Sequence, residues 1–189
     1  MSDAFGAHIW ALFCQSMRQY CVFFKIMRSC IMAKLDSKDI QILATLQRNG
    51  QASALEMSDH LGMSASQIGR RRLRMEAEGY IVATTCRLNP ALLGLGVQAF
   101  IQVQTVAQTG DTHQSIKTLT CDQPEIVAAW TLTGEADYIF RVYCSSLTSL
   151  NDLVQKTLLP HPAIGRVHSQ IVMEQVKDDT ALPLDSARV

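Results

Sequence analysis

Four arginines and a glutamine fall within the twelve residues Ser64–Met75, and no acidic residue stands among them. A run of that kind binds anions, and its spacing indicates which anion. Gln67, Arg70, Arg71 and Arg74 recur at intervals of three, one and three, which places them on one side of a helix while Ile68 and Met75 turn to a core. Glutamine matches the N6/N7 edge of adenine and arginine the O6/N7 edge of guanine, each through two parallel hydrogen bonds worth roughly 1–3 kcal/mol of discrimination. Arginines nearer the helix C-terminus suit phosphates, which supply affinity without sequence information. Ser64 and Ser66 stand at the start of the same helix, so the candidate DNA contacts are Ser64, Ser66, Gln67, Arg70, Arg71 and Arg74. Taken alone, an arginine cluster is equally a solvated basic face.

The elements that must position these residues favour DNA. Ser53-Ala54-Leu55-Glu56 has the spacing of a capping box, in which hydroxyl and carboxylate satisfy the free N–H groups at a helix start, and it predicts a helix from Ala54 to Leu61. Gly62 supplies a left-handed stop, and Ser64-Ala65-Ser66-Gln67 repeats the capping pattern. Two capped helices joined through a glycine turn read as helix-turn-helix, whose second helix enters the major groove. Upstream, Asp36 caps a helix from Ser37 to about Gln47 with an apolar stripe of Ile42, Leu43 and Leu46, preceded by Leu35, and Asn49-Gly50 ends it. Downstream of Gly79, the β-branched run Tyr80–Leu88 reads as the strand of a wing, and Asn89-Pro90 marks a domain boundary.

Beyond that boundary the periodicity changes. Val97, Ala99, Ile101 and Val103 alternate with Gln98, Phe100, Gln102 and Gln104, as in a strand with one wetter face. A helix over Asp111–Cys121 follows. Strands over Ile126–Thr133 and Tyr138–Cys144 flank the hairpin loop Gly134-Glu135-Ala136-Asp137. Leu147, Leu150, Leu153, Val154 and Leu158 mark an amphipathic helix ended by Pro160-His161-Pro162. A last strand covers Gly165–Glu174, with Val167, Ile171 and Met173 on one face. The order β-α-β-β-α-β is that of a ferredoxin-like domain. Apolar residues on both faces of its strands predict a second copy covering the open sheet face, and a two-fold dimer also suits paired DNA half-sites.

Composition bounds the possibilities. In 189 residues, 17 basic and 17 acidic side chains cancel, so any nucleic-acid site is local rather than a property of the whole surface. The hydrophobic fraction of 48% excludes general disorder. Six cysteines without a C-x-x-C pair signal neither zinc nor a disulfide framework, so a cytoplasmic, reducing setting is expected. His8, His60, His113, His161 and His168 fall in different elements, without the carboxylate or cysteine spacing of a metal or nucleophile site; no catalytic residue, metal or cofactor is expected. His161, between two prolines, reads as structural.

Residues 1–34 form an appendage whose apolar stretches are interrupted by Arg18, Lys25 and Arg28, which argues against a membrane span. Asp3 argues against a signal peptide. The segment is an amphipathic interaction or membrane-surface helix, a disordered appendage, or sequence upstream of the true start. The last is preferred because Met32 stands three residues before Leu35-Asp36.

Together these features resemble the Lrp/AsnC, or feast/famine, family of transcription regulators. The resemblance covers about 35–177. It is carried by Leu35-Asp36-x-x-Asp39-x-x-Ile42-Leu43-x-x-Leu46, Ser53-x-x-Glu56, the 62–76 region, Glu78-Gly79-Tyr80-Ile81, Leu88-Asn89-Pro90-x-x-Leu93-Gly94, Gly134-x-x-Asp137-Tyr138 and Val172-Met173-Glu174-x-Val176-Lys177. It implies an α+β chain: a winged helix-turn-helix DNA-binding domain over 35–88, a linker over 89–96, a ferredoxin-like effector-binding and oligomerisation domain over 97–177, and a tail over 178–189. The implied partners are double-stranded DNA, a small-molecule effector of the amino-acid class, and further copies of the chain as a homodimer or larger assembly, with no membrane. The family's effector lies near the Gly134-x-x-Asp137-Tyr138 loop, between subunits. Asp137 is then a candidate acceptor for an α-ammonium group and the N–H groups beside Gly134 candidate donors to a carboxylate, with Tyr138, Thr131 and Thr133, and also Trp130, as further candidates. Equally, Gly134 permits the hairpin turn and Asp137 caps it. A regulatory module acting through protein contacts instead of DNA is the alternative function. Two departures stand out. Arg72 occupies a position that is apolar in many members, for which Leu73 would compensate by a small rotation of the buried face. Gly69 lies inside the recognition helix at roughly 1 kcal/mol relative to alanine.

Overall fold

The computed structural model describes residues 35–179 and 181–184, so the appendage expected over 1–34 lies outside the described residues. The chain divides into two compact units, one drawn from residues up to Arg87 together with those from Asp178 onward, the other spanning Leu88–Lys177.

The described residues of the first unit form three helices: α1 (Ser37–Arg48), α2 (Ala54–Leu61) and α3 (Ala65–Ala77). All three begin with reciprocal capping boxes, Asp36 with Asp39, Ser53 with Glu56 and Ser64 with Gln67, so each start is encoded within four residues. Gly62 ends α2 at φ 60°, ψ 41°, and Lys38 Nζ donates to the Leu61 carbonyl at 2.6 Å, placing a cation at the helix C-terminus. Ile42, Met57, Ile68 and Met75 are buried at the centre with Ala52, and Leu35, Leu43, Leu46, Leu61, Tyr80 and Ile81 pack around them. The wing strand expected over Tyr80–Leu88 does not form, and no strand occurs among the described residues of this unit. A strand needs a neighbour to take its N–H and C=O groups, and the described residues of this unit contain no second β-branched run to provide one. The described residues near the C-terminus pack on this unit: the Gln47 side chain accepts from Leu182 N–H at 2.6 Å and donates to the Leu182 carbonyl at 3.4 Å.

The second unit is β1 (Val97–Thr105), α4 (Gly110–Asp122), β2 (Ile126–Thr131), β3 (Tyr138–Cys144), α5 (Leu147–Asp152) and β4 (Ile164–Ile171), in the strand order β2-β3-β1-β4 with every pairing antiparallel. That is the ferredoxin-like arrangement. Ala99, Ile101 and Val103 of β1 and Phe140, Val142 and Cys144 of β3 form the core with Ile116 and Leu119 of α4 and Leu150, Leu153 and Leu158. The cross-strand register turns Phe100, Ile139 and Tyr143 to the opposite face, where Trp130, Gln102, His168 and Gln170 also stand.

Three boundaries differ from the sequence expectation. After Asp152 the second helix widens to i→i+5 bonding over Leu153–Leu158, which lets leucines five apart both face the core. Strand β2 ends at Thr131 because Leu132 N–H already bonds the Asp137 carbonyl at 2.8 Å and Gly134, at φ 118°, reverses the chain. Strand β4 stops at Ile171, leaving Met173 outside the ladder and 95% exposed. Phe140 is fully buried among residues of β1, α4 and α5. Phe140→Ala is expected to destabilise the second unit by about 3–5 kcal/mol, read as a lower urea midpoint.

Candidate nucleic-acid interface and effector cleft

On α3, the long polar side chains do not share one task. Gln67 Oε1 accepts from Ser64 N–H at 3.0 Å, and Ser64 Oγ accepts from Gln67 N–H at 3.3 Å and lies 3.2 Å from Ser66 Oγ. Arg71 donates to Asp36 at 2.6 Å and to Asp39 at 2.8 Å, and Arg74 donates to the other oxygen of Asp39 at 2.6 Å. Arg72 donates to Glu76 at 2.9 Å one turn along. Arg70 is exposed and makes no hydrogen bond or ion pair with the described residues. Successive helical positions rotate by about 100°. Taking buried Ile68 and Met75 as the inward direction, the outward pole carries Ser66, Arg70, Leu73 and Ala77, and the side holding Gln67, Arg71 and Arg74 turns toward the acids of α1.

Asp39 explains this division. Its side chain is only 1% exposed. Burial alone pushes its carboxyl upward in pKa, but the Asp36 N–H and the guanidinium groups of Arg71 and Arg74 outweigh it and hold it below the ordinary carboxylate value. Asp36 is also lowered, first by the Asp39 N–H and then by Arg71. The same ion pairs raise Arg71 above the usual arginine value. Sequence reasoning placed both acids in a helix start but not against the arginines of α3. The signal available was the pairing of two acids on the first helix with arginines three apart on the third.

The two departures in α3 resolve differently. Leu73 does not rotate inward to replace an apolar residue at 72: it is 67% exposed, and the core closes over Ile68 and Met75 without it. Arg72 is accommodated at the surface by its i+4 partner Glu76. A Cβ at Gly69 would meet nothing within 4 Å, so no packing contact requires glycine there.

The second unit holds a cleft of about 270 Å³ lined by Thr105, Gln108, Thr109, Thr112, His113, Thr131, Leu132, Asp137 and Tyr138. Small-molecule sites begin near 300 Å³, so the cleft lies just below the small end of that range. Asp137 organises one wall: one carboxylate oxygen accepts from the Thr105 N–H at 2.7 Å and hydroxyl at 2.8 Å, and the other from Gln108 Nε2 at 2.5 Å. These bonds, led by the Thr105 N–H, hold its carboxyl below the ordinary value and therefore charged at neutral pH. Tyr138 meets His113 Nδ1 at 3.0 Å, with the rings stacked at 6.1 Å; burial first, then the neighbouring Asp137 charge, raises the phenol pKa. Thr109 caps α4 through the Thr112 N–H and lies in the wall, presenting that helix's first turn to the cleft. Of the sequence candidates, Thr131, Asp137 and Tyr138 converge here. Thr133, Gly134 and Trp130 are not in the wall: Gly134 turns the hairpin, and Trp130 belongs to the open sheet face. Thr105, Gln108, Thr109, Thr112 and His113 were missed, because a strand end and a helix start read as local caps and not as a cleft wall.

Among the described residues, no helix is long and apolar enough to cross a membrane, and no three His, Cys, Asp or Glu side chains gather as a metal ion needs.

Comparison with known proteins matches both units. Residues 35–76 fit the AsnC-type helix-turn-helix domain and residues 98–182 the Lrp/AsnC ligand binding domain. The glutamate uptake regulatory protein of Zymomonas mobilis is 30% identical over 154 residues, covering 82% of this chain and 93% of that protein. The DNA-binding transcriptional activator DecR of Escherichia coli is 26% identical over 151 residues, 80% of this chain and 99% of DecR. A crystal structure of a Neisseria meningitidis transcriptional regulator in complex with L-methionine superposes at a TM-score of 0.77 with 32% identity, covering 80% of this chain and 98% of that one.

Acid should loosen the helical unit in a defined way. Asp36 and Asp39 have folded pKa values below their unfolded ones, near 3.9. Their stabilisation is therefore complete above about pH 4 and is lost as pH falls through the lowered folded values. Asp39→Asn should cost about 1.5–3 kcal/mol at pH 7, in the range of hydrogen bonds to charged groups, and flatten the acid limb of a stability-versus-pH curve from chemical denaturation.

Proposed function

We propose, for a chain that belongs to the Lrp/AsnC family of transcription regulators, that α3 reads duplex DNA while the cleft of the second unit binds an amino acid that governs the reading. The observation that carries the DNA part is Arg70: among the arginines of α3 it alone has no partner among the described residues, and it stands on the outward pole. Its guanidinium is free to pair with guanine, with Ser66 beside it one turn earlier. Gln67 and Ser64, exposed at the helix start, contribute donors near the backbone. Arg71 and Arg74 hold the helix in place through Asp39 and offer their remaining N–H groups to phosphates. DNA reading is assigned to 35–88 and effector binding to 97–177.

Within the cleft, the charged Asp137 carboxylate faces the ligand's ammonium group, and the first turn of α4 faces its carboxylate. Thr131 and Tyr138 border the side chain. Such a ligand acts only by binding one conformation or assembly better than another, and coupling of about 1–3 kcal/mol is typical. The open sheet face, with Phe100, Trp130, Ile139 and Tyr143, pairs with a second copy to make a dimer suited to two half-sites. The protein works with DNA in the cytoplasm, at the nucleoid, and catalyses no reaction.

Binding to a duplex from the gene's own upstream region should weaken steeply with salt as counterions are released. Arg70→Ala should lose about 1–3 kcal/mol of preference for the specific duplex while retaining most non-specific affinity, measured by fluorescence anisotropy. Absence of DNA binding by the wild type would favour a module acting through protein contacts. A thermal-shift screen of the amino acids should reveal one that adds roughly 2.7 kcal/mol at about 100 times its dissociation constant. No shift with any of them would exclude an amino-acid effector.

A further inference from the structure

Leu73 is 67% exposed on a helix whose core is complete without it. A solitary exposed leucine needs no explanation in itself. Its place gives it one. By the rotation of the helix it shares the outward pole of α3 with Ser66 and Arg70, at positions i, i+4 and i+7. The neighbouring long side chains are occupied: Arg71 and Arg74 with Asp39, Arg72 with Glu76, and Gln67 with the Ser64 N–H. Toward the C-terminus of the helix the pole therefore carries one cation, Arg70, and one large apolar side chain, Leu73, before the small Ala77.

The edges of base pairs in the major groove offer one apolar group, the 5-methyl of thymine, alongside their donors and acceptors. We propose that Leu73 is a specificity-determining residue that packs against the 5-methyl group of a thymine adjacent to the guanine read by Arg70. Three residues along a helix advance about 4.5 Å, and successive base pairs are about 3.4 Å apart. The thymine therefore lies one or two base pairs from the guanine. This rests on the reading of α3 as the DNA-contacting helix.

The test removes a methyl group and nothing else. In a duplex from the gene's own upstream region, the guanine is located as the position whose substitution no longer matters to Arg70→Ala. Each thymine within two base pairs of it is then replaced singly by deoxyuridine, which keeps every hydrogen-bonding edge. For the wild type, one replacement should weaken binding about three- to fivefold, the value of one buried methyl-sized group. Leu73→Ala should bind the thymine duplex more weakly and respond less than 1.5-fold to uracil, whereas Leu73→Met should keep the wild-type response. With a C·G pair at that position, 5-methylation of the cytosine should strengthen wild-type binding and leave Leu73→Ala unchanged, which separates contact with the methyl from contact with the rest of thymine. Equal methyl responses in wild type and Leu73→Ala, or no response at any position, would overturn the proposal while leaving DNA reading intact. No binding to any duplex would instead overturn the premise. Because Leu73 is exposed, its variants should melt within a degree or two of the wild type, and this is measured alongside.

Discussion

The Asp39 carboxylate, nearly sealed from solvent, ties the start of the first helix to the middle of the third by accepting from Arg71 and Arg74 as well as from the Asp36 N–H. Burying a charge is unfavourable unless it is paired and hydrogen-bonded. Here both oxygens are engaged, and the lowered pKa reflects that. The consequence for DNA recognition is geometric. With Arg71 and Arg74 drawn back to α1, the rotation of α3 about its axis is set, and in the proposed reading the surface offered to a groove narrows from four arginines to Arg70 with its neighbours Ser66 and Leu73. A helix that looks broadly basic in sequence thus has most of its arginines engaged within the fold.

Asp137 plays a comparable part in the second unit. Its carboxylate holds the end of β1 through Thr105 and the following loop through Gln108, while its backbone bonds Val103 and Leu132. The two readings of this residue, as loop cap and as effector acceptor, are therefore compatible: the cap fixes a charged group in the wall of a cleft, and a fixed charge is what an ammonium group requires. The His113–Tyr138 pair closes the neighbouring wall, so the cleft is shaped by β1, β3 and the start of α4 together.

Local signals were legible wherever a few consecutive residues contain both partners of an interaction. The two capping boxes at Ser53 and Ser64, the cap at Asp36, the glycine stop at Gly62 and the alternation along β1 all belong to that class, and the corresponding elements start within a residue or two of where the sequence puts them. The βαββαβ order followed from such elements read in series. Expectations failed where an element depends on something outside its own segment. Tyr80–Leu88 has β propensity but no partner strand among the described residues, and the helix after Ser146 changes its winding so that Leu153 and Leu158 both reach the core.

The sequence by itself therefore determined where the three capped helices and the strands of the βαββαβ unit begin, and the family the chain resembles, because these rest on interactions among residues close along the chain. Tertiary structure alone decided which arginines of α3 pair with other described residues. Arg70 and Arg71 are chemically identical neighbours, separated by about 100° of helix rotation, and only the folding of Asp36 and Asp39 against one of them, some thirty-five residues away, makes one a support and leaves the other without a partner among the described residues.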